Sequence, residues 1–554
     1  MKIALFISFA LSGLLTTTQA HPQSAPLTGP VTPYFQSVAT LHRELESGRV
    51  TDPELVRAWI ERIRLLNRQG PRLHAVILIN PDAIRIARER ERQIRSGHGH
   101  GLLFGIPVLL KDNIDTRPMP TTAGSLALEG PPPSRNATIV TRLEKAGAII
   151  LGKANLSEWA NFRSTHSTSG WSAVGGLTRN PYVLSRSACG SSSGSAVAVS
   201  AGLVPLAIGT ETDGSLTCPA SMNGVVDIKP TLGLVSRAGI VPIAASQDDP
   251  GPMARSVADA AALLTVIAGS DPRDPWTRHA NRHVTDYTRY LKPGQLKGRR
   301  IGVVCGLVGA DPQVRRILDY SVAALRSHGA QVIAVRLPHL HDYEKAEFTT
   351  LLYEFKNDLN AYLSHRHGLK VKTLSQLITF DERHAREEMP WFGQDIFLMA
   401  DRMGPLTTPA YQKALARAKR LTGSQGIDAA LKAHHLVALM APASCPAWSI
   451  DLVDGDHGCA GGDSPAAVAG YPSITVPAGN VHGLPVGMTF FSGKWTEPTL
   501  ITIGYDFEQA TKQRIRPHFL PKAPVQETVP TEAQLERDAP PALTVPPTPV
   551  CPIK

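Results

Sequence analysis

Apolar positions along the chain switch between two periods. Leu41 and Leu45 recur at helical spacing and predict a helix that stops at Gly48. A second helix starts at Thr51-Asp52-Pro53 and carries Leu55, Val56, Trp59, Ile60, Ile63 and Leu66 on one face. Thr51 or Asp52 can cap it, and Pro53 suits the first turn. Residues 74–79 and 105–110 read as strands, with a helix over 81–95 between them, and the second strand delivers Lys111 at its end. A helix over 138–146 and a strand over 149–151 follow. Strand, helix and strand are predicted over 300–304, 311–327 and 331–335, with Asp311 as cap and Pro312 in the first turn. Helices dominate 343–364 and 409–434, and 437–441 and 473–476 look like buried strands. This alternation predicts a mixed α/β fold layered around one large sheet, with no internal repeat.

The two ends break the pattern. Lys2, an apolar run over 3–15 and Thr18-Gln19-Ala20 read as a signal peptide cleaved after Ala20, which predicts a secreted or periplasmic protein starting at His21. The run is too short for a standard membrane span. The other apolar stretch, 196–209, contains Gly202 and Pro205 and reads as core. Residues 521–554 hold nine prolines and little apolar periodicity, so they should be extended or disordered in isolation, or form a strap. One catalytic domain over 21–520 is expected between these ends.

Composition narrows the class. Hydrophobic residues are 42% and charged residues 19%, which places the chain among soluble globular proteins. The net charge of +10 comes from diffuse arginines with no basic stripe or reading element, so nucleic acid is not an expected partner. No membrane span is expected after signal removal, and no obligate subunit is implied. Six cysteines (189, 218, 305, 445, 459 and 551) allow fifteen full disulfide pairings, and spacing does not choose among them. No Cys/His spacing suggests zinc, and no cofactor motif is present.

The chemistry concentrates in residues 189–219, CGSSSGSAVAVSAGLVPLAIGTETDGSLTCP. Two Gly/Ser turns bracket an apolar segment. Glycine permits unusual backbone geometry and close approach to a ligand, and serine supplies hydroxyls that attack or relay protons. GSSSGSA at 190–196, GTETDGS at 209–215 and VLLKDNID at 108–115 resemble the three signature blocks of the amidase signature family. The lysine and the two serines follow in the family's order, 80 and then 24 residues apart. The likeness continues through 153–161, 250–261 and 467–488.

The resemblance implies a twisted mixed sheet covered by helices on both faces, and an amidase with a Ser-cisSer-Lys triad working through an acyl-enzyme. Ser215 would be the nucleophile, Ser191 the bridge and Lys111 the base. The family's bridging serine follows a cis peptide bond, here Gly190–Ser191. A base must be neutral, and the apolar strand before Lys111 offers the desolvation that lowers a lysine pKa. Backbone amides of Thr212, Asp213, Gly214 and Ser215 are candidates for an oxyanion hole. Ser192 and Thr217 are expected to support the site or touch substrate. Many family members carry arginine where this chain has Thr217, which disfavours a small acidic substrate. SSSGS at 191–195, GSLTCPA at 214–220 and the 454–479 segment look most like the peptide amidase branch, whose members remove the C-terminal amide of peptides and release ammonia. A signal peptide argues against the tRNA-dependent amidotransferase branch.

Competing readings stay open. Residues 190–194 also fit G-x-S-x-G, with Ser192 as nucleophile and Asp456, His457 or His482 as partners, although 184–188 make a poor preceding strand. Cys189 or Cys218 as nucleophile lacks a basic neighbour. Asp248 and Asp249 could orient the site, but a turn role is the simpler reading. A broad aryl-amide, fatty-amide or ester hydrolase, and a catalytically silent binding protein, remain alternatives on the same fold.

Overall fold

The computed structural model describes residues 33–459, 461–524 and 548–551. Local chemistry sets the first helices where the sequence places them. Ser37 caps the helix Val38–Glu46 by accepting from the Thr40 amide. Thr51 and Glu54 cap the helix Asp52–Ile63 reciprocally, with Pro53 in its first turn. That helix buries Leu55, Val56, Trp59 and Ile63 of the stripe read from the sequence, while Ile60 is half-buried and Leu66 lies beyond the helix end.

Thirteen strands are present among the described residues. In chain order they are β1 (Val76–Ile79), β2 (Pro107–Lys111), β3 (Ile149–Ala154), β4 (Trp171–Ser172), β5 (Gly176–Leu177), β6 (Leu206–Glu211), β7 (Val226–Lys229), β8 (Asp249–Ala254), β9 (Arg300–Val304), β10 (Gln331–Val335), β11 (Ala438–Pro442), β12 (Ser473–Val481) and β13 (Leu484–Phe491). Eleven form one mixed sheet in the order β1-β3-β2-β6-β8-β7-β12-β13-β11-β9-β10, and β4 pairs with β5 alone. The family's expected core, a large sheet clothed in helices, is the architecture observed.

The middle of the sheet explains the site. β2 runs parallel to both β3 and β6, with Leu110 opposite Ile208. Every residue of β2, β3 and β6 is buried, as strands covered on both faces require. The C-terminal ends of β2 and β6 therefore meet at one edge, where α/β sheets place their ligands.

The structure refines the sequence reading in several places. The apolar stretch 196–209 is buried throughout, as core, and divides into the end of the helix Ser193–Ser200, a turn and the start of β6. Every residue of that helix is buried, so it shows no amphipathic period to read. Gly194 lets it sit against β3, since a Cβ there would lie 2.4 Å from the carbonyls of Ala75 and Asn155. Asp249 is not in a turn: it begins β8, a strand that DPGPMA hides behind two prolines. Pro250 and Pro252 are tolerated because 249–252 pair only with β6, and β7 reaches only Met253 and Ala254. β7 and β13, and the helices Val257–Ile267 and Glu497–Thr511, are further elements that the pattern does not announce.

All six cysteines pair, as Cys189–Cys218, Cys305–Cys551 and Cys445–Cys459. Cys305 follows β9, so the second bond ties 548–551 to the end of that strand, beside the edge strand β10, and the Val550 amide donates to Asp319 of the helix Pro312–Ser327. The rest of the proline-rich tail, 525–547 and 552–554, and residues 1–20, where a signal peptide is expected, lie outside the described residues. No helix among the described residues is long and apolar enough to cross a membrane.

Candidate active site

Lys111 ends β2 with its side chain fully buried. Its Nζ lies 2.7 Å from Ser191 Oγ, 3.1 Å from Ser192 Oγ, 2.9 Å from Thr210 Oγ1 and 3.2 Å from the Thr210 carbonyl. Thr210 comes from β6, so the parallel pairing of the two strands brings both groups together. Asn113 Nδ2 donates to Thr210 Oγ1 from the other side at 3.0 Å. Burial pushes the lysine down to about 7, against the opposing pull of the Asp248 and Glu211 carboxylates.

The Gly/Ser turn before the helix Ser193–Ser200 supplies the two serines. Gly190–Ser191 is a cis peptide bond, and Cys189 takes a positive φ of 54°. The Ser191 carbonyl accepts from the Ser157 amide at 3.1 Å, and the Ser192 amide donates to the Ser215 carbonyl at 3.2 Å. Ser192 is fully buried, donates to the Thr210 carbonyl at 3.0 Å and accepts from the Thr210 amide at 3.1 Å. It braces β6 and the lysine from inside the protein and has no exposed face for a substrate.

The second turn leads from β6 into the helix Thr217–Met222. Gly214 adopts φ +76°, and a Cβ there would meet Asp463 Oδ2 at 2.4 Å, so glycine is required both by backbone and by space. The Glu211 carboxylate caps the helix, accepting from the Leu216 and Thr217 amides at 2.8 and 3.0 Å. The amides of Thr212, Asp213, Gly214 and Ser215 have no backbone partner among the described residues. Ser215 is buried but for a small exposed fraction, and its Oγ has no hydrogen-bond partner among the described residues. Thr217 is fully buried, with Oγ1 unpaired among the described residues. The Cys189–Cys218 bond ties the first turn to the helix that follows the second, a separation of 29 residues. A cross-link of that span stabilises by about 3–4 kcal/mol in the chain-entropy account.

Buried acids support the second turn. Asp213 Oδ2 accepts from Ser464 Oγ at 2.9 Å, and Tyr343 donates to the same serine at 3.0 Å. Burial holds Asp213 well above the usual carboxylate range, with Glu347, Asp463 and Glu211 adding to the push. Asp248 accepts from Thr212 Oγ1 at 2.6 Å and from the amides of Ile243 and Ala244 at 2.8 and 3.0 Å, and burial raises it to about 6. Asp248 thus orients the turn at Thr212. Asp249 instead pairs with the buried Lys229 at 3.1 Å.

The arrangement brings Lys111, Ser191, Ser192 and the 212–215 turn to one edge of the sheet. It does not build the G-x-S-x-G alternative. Asp456 accepts from the Ser169 amide and Trp448 Nε1, His457 pairs with Asp451, and His482 meets Gln313. None of these contacts Ser192. Thr210, Glu211, Asn113 and Ser464 are site residues that sequence reasoning misses, although the first three stand inside the signature-like blocks. A polar residue closing an otherwise apolar strand is the available signal.

The amidase family model matches residues 54–501. The solved structure of a peptide amidase from Stenotrophomonas maltophilia is 51% identical, superposes with a TM-score of 0.84, and is covered to 98% by 87% of this chain. A probable amidase of Arabidopsis thaliana is 42% identical over 484 residues, 85% of this chain and 89% of that protein. A glutamyl-tRNA(Gln) amidotransferase component from a Cyanothece species is 34% identical over 86% of this chain and 98% of its own length.

Proposed function

This chain belongs to the amidase family, and from that premise we propose that it removes the C-terminal amide from peptides and releases ammonia, using Lys111, Ser191 and Ser215. The enzyme hydrolyses amides; the triad and the peptide substrate are our reading. One observation carries it: a fully buried lysine, held near neutrality, lies 2.7 Å from Ser191 Oγ beside the turn that bears Ser215.

Neutral Lys111 takes a proton from Ser191, which takes one from Ser215 as its Oγ attacks the carboxamide carbon. The oxyanion meets the free amides of the 212–215 turn. Lys111, now charged, returns the proton through Ser191 to the leaving nitrogen. Ammonia departs, and water releases the acid from Ser215 by the same relay. Ser215 Oγ makes no bond to Ser191 in this structure; such contacts tighten when substrate is bound. Thr217 stands where an arginine would hold a small acid, and the 51% identity to a peptide amidase favours the peptide branch.

The test compares ammonia release from a neutral peptide amide, the matching free-acid peptide, a fatty amide and an ester. Ammonia from the peptide amide, at least about tenfold faster than fatty-amide turnover and absent with the free acid, is the expected outcome. Faster turnover of the fatty amide or the ester sinks the peptide assignment.

The leader-like residues 1–20 and six paired cysteines favour a location outside the cytoplasm, where disulfides persist. Mass spectrometry of the exported protein should find a chain beginning at His21 with no free thiol. A chain retaining residues 1–20 in the cytoplasm would exclude export.

A further inference from the structure

A cavity of about 680 Å³ opens beside the oxyanion turn. Its inner end is lined by Thr210, which bonds to Lys111, by Asn113, which bonds to Thr210, and by Thr212, which opens the turn that ends at Ser215. Apolar wall is provided by Ala160, Val241 and Ile243. Its outer rim includes Arg135 and Arg273, both exposed.

The lining holds five aspartates (115, 248, 249, 274 and 358) and four arginines (135, 237, 273 and 366), but their charges are unevenly placed. Asp274 pairs with Arg237 at 2.8 Å, Asp115 with Arg366 at 2.9 Å and Asp249 with Lys229 at 3.1 Å. Asp248 is taken up by Thr212 and two amides, and Asp358 accepts from the Ala245 amide at 2.9 Å. Asp271, behind the rim and close to Arg273 in the chain, is held by the Ser236 and Thr138 hydroxyls and the Arg273 amide. Arg135 and Arg273 form no ion pair among the described residues, and Arg273 spends one N–H on the Asn136 carbonyl. Every carboxylate of the lining thus has a partner inside the protein, while two guanidinium groups face the mouth.

We propose that this cavity holds the peptide on the N-terminal side of the reacting carboxamide, and that the enzyme favours peptide amides bearing an acidic side chain upstream of that amide. This rests on the peptide-amide reading and gives it a substrate class. An apolar wall near the turn suits the residue that carries the amide, and the cationic rim meets a carboxylate further out. Exposed charge pairs contribute modestly in water, and a rim of one sign also speeds encounter with the opposite sign.

Three peptide amides of equal length, differing only in Glu, Gln or Lys at one upstream position, test it. The kcat/KM ratio of Glu to Lys peptide should be about tenfold at low salt and fall towards one at about 0.5 M salt, where screening shortens to a few ångströms. In the double variant Arg135→Glu/Arg273→Glu, with folding checked by its melting curve, the ratio should invert. A ratio within about twofold of one, or one unchanged in the double variant, overturns the preference. Turnover of the Gln peptide in that case leaves the peptide-amide reading standing. No turnover of any of the three overturns both.

Discussion

Ser215→Ala should abolish ammonia release from a peptide amide, by a factor of about 10⁴ or more, the scale on which loss of a catalytic nucleophile is felt. Ser192→Ala in the same assay should retain measurable activity, reduced by about 10–100-fold, the scale of one lost hydrogen bond to a charged group. The difference follows from where the two hydroxyls stand. Ser215 keeps a small exposed fraction, 7%, at the end of the 212–215 turn, beside amides that have no backbone partner among the described residues. Ser192 is sealed inside, bonded to Lys111 Nζ and to both backbone groups of Thr210. Its loss loosens the lysine and the end of β6 but removes no attacking atom. Labelling by a fluorophosphonate probe, located by peptide mapping, should fall on Ser215. An active Ser215→Ala with a dead Ser192→Ala would overturn the assignment and make Ser192 the nucleophile. No labelling and no ammonia from a folded parent chain would leave the fold without this chemistry.

The sequence is legible where one residue type carries one local job. Thr51, Glu54 and Pro53 announce a helix start by capping, which needs no tertiary context. Lys111 can be placed at the end of a strand because GIPVLL is continuously apolar, and β2 is buried along its whole length. Legibility fails where packing overrides pattern. The helix Ser193–Ser200 is covered on all sides, so no polar face marks its turns. β8 starts with Asp-Pro-Gly-Pro, a turn signal in any isolated window. It becomes a strand because β6 alone needs its hydrogen bonds there, leaving the proline sides unpaired. Disulfide pairing is beyond reach for a related reason: Cys189 and Cys218 meet only after β2, β6 and two turns have been assembled.

The candidate site divides in the same way. Lys111, Ser191 and Ser215 stand in short motifs whose spacing is itself a signal. Glu211, Asp213 and Ser464 act through a fold-dependent geometry. Glu211 looks like one more polar residue in GTETDGS, yet its carboxylate fixes the start of the helix after Ser215 by taking two amides. Asp213 looks like a turn former, yet its side chain points inward to Ser464. The backbone of that turn is thus held from behind by side chains, which leaves its amides directed elsewhere. A preorganised set of donors of this kind needs no rearrangement when charge develops on a substrate oxygen.

Lys111 sets the second large expectation, a pH dependence. Its burial brings the ammonium down to about 7, so roughly half the lysine is neutral at pH 7. A base works only when neutral. Below the midpoint kcat/KM should therefore fall about tenfold for each pH unit, and above it the profile should level off. Asp248, raised to about 6, lies on the acid side of the same limb; as it gains a proton it ceases to favour the charged lysine, an effect confined to the acid limb. Lys111→Arg separates charge from basicity. Arginine keeps the positive charge but cannot give up its proton in this range, so the variant should lose at least about 10³-fold across pH 6–9, with no recovery at the alkaline end. Lys111→Met, which removes charge and base together, should be equally inactive. A parent profile that is flat from about pH 5 to 9, or an Arg variant that keeps a tenth of the activity, would mean that the lysine holds the serines in place without moving a proton.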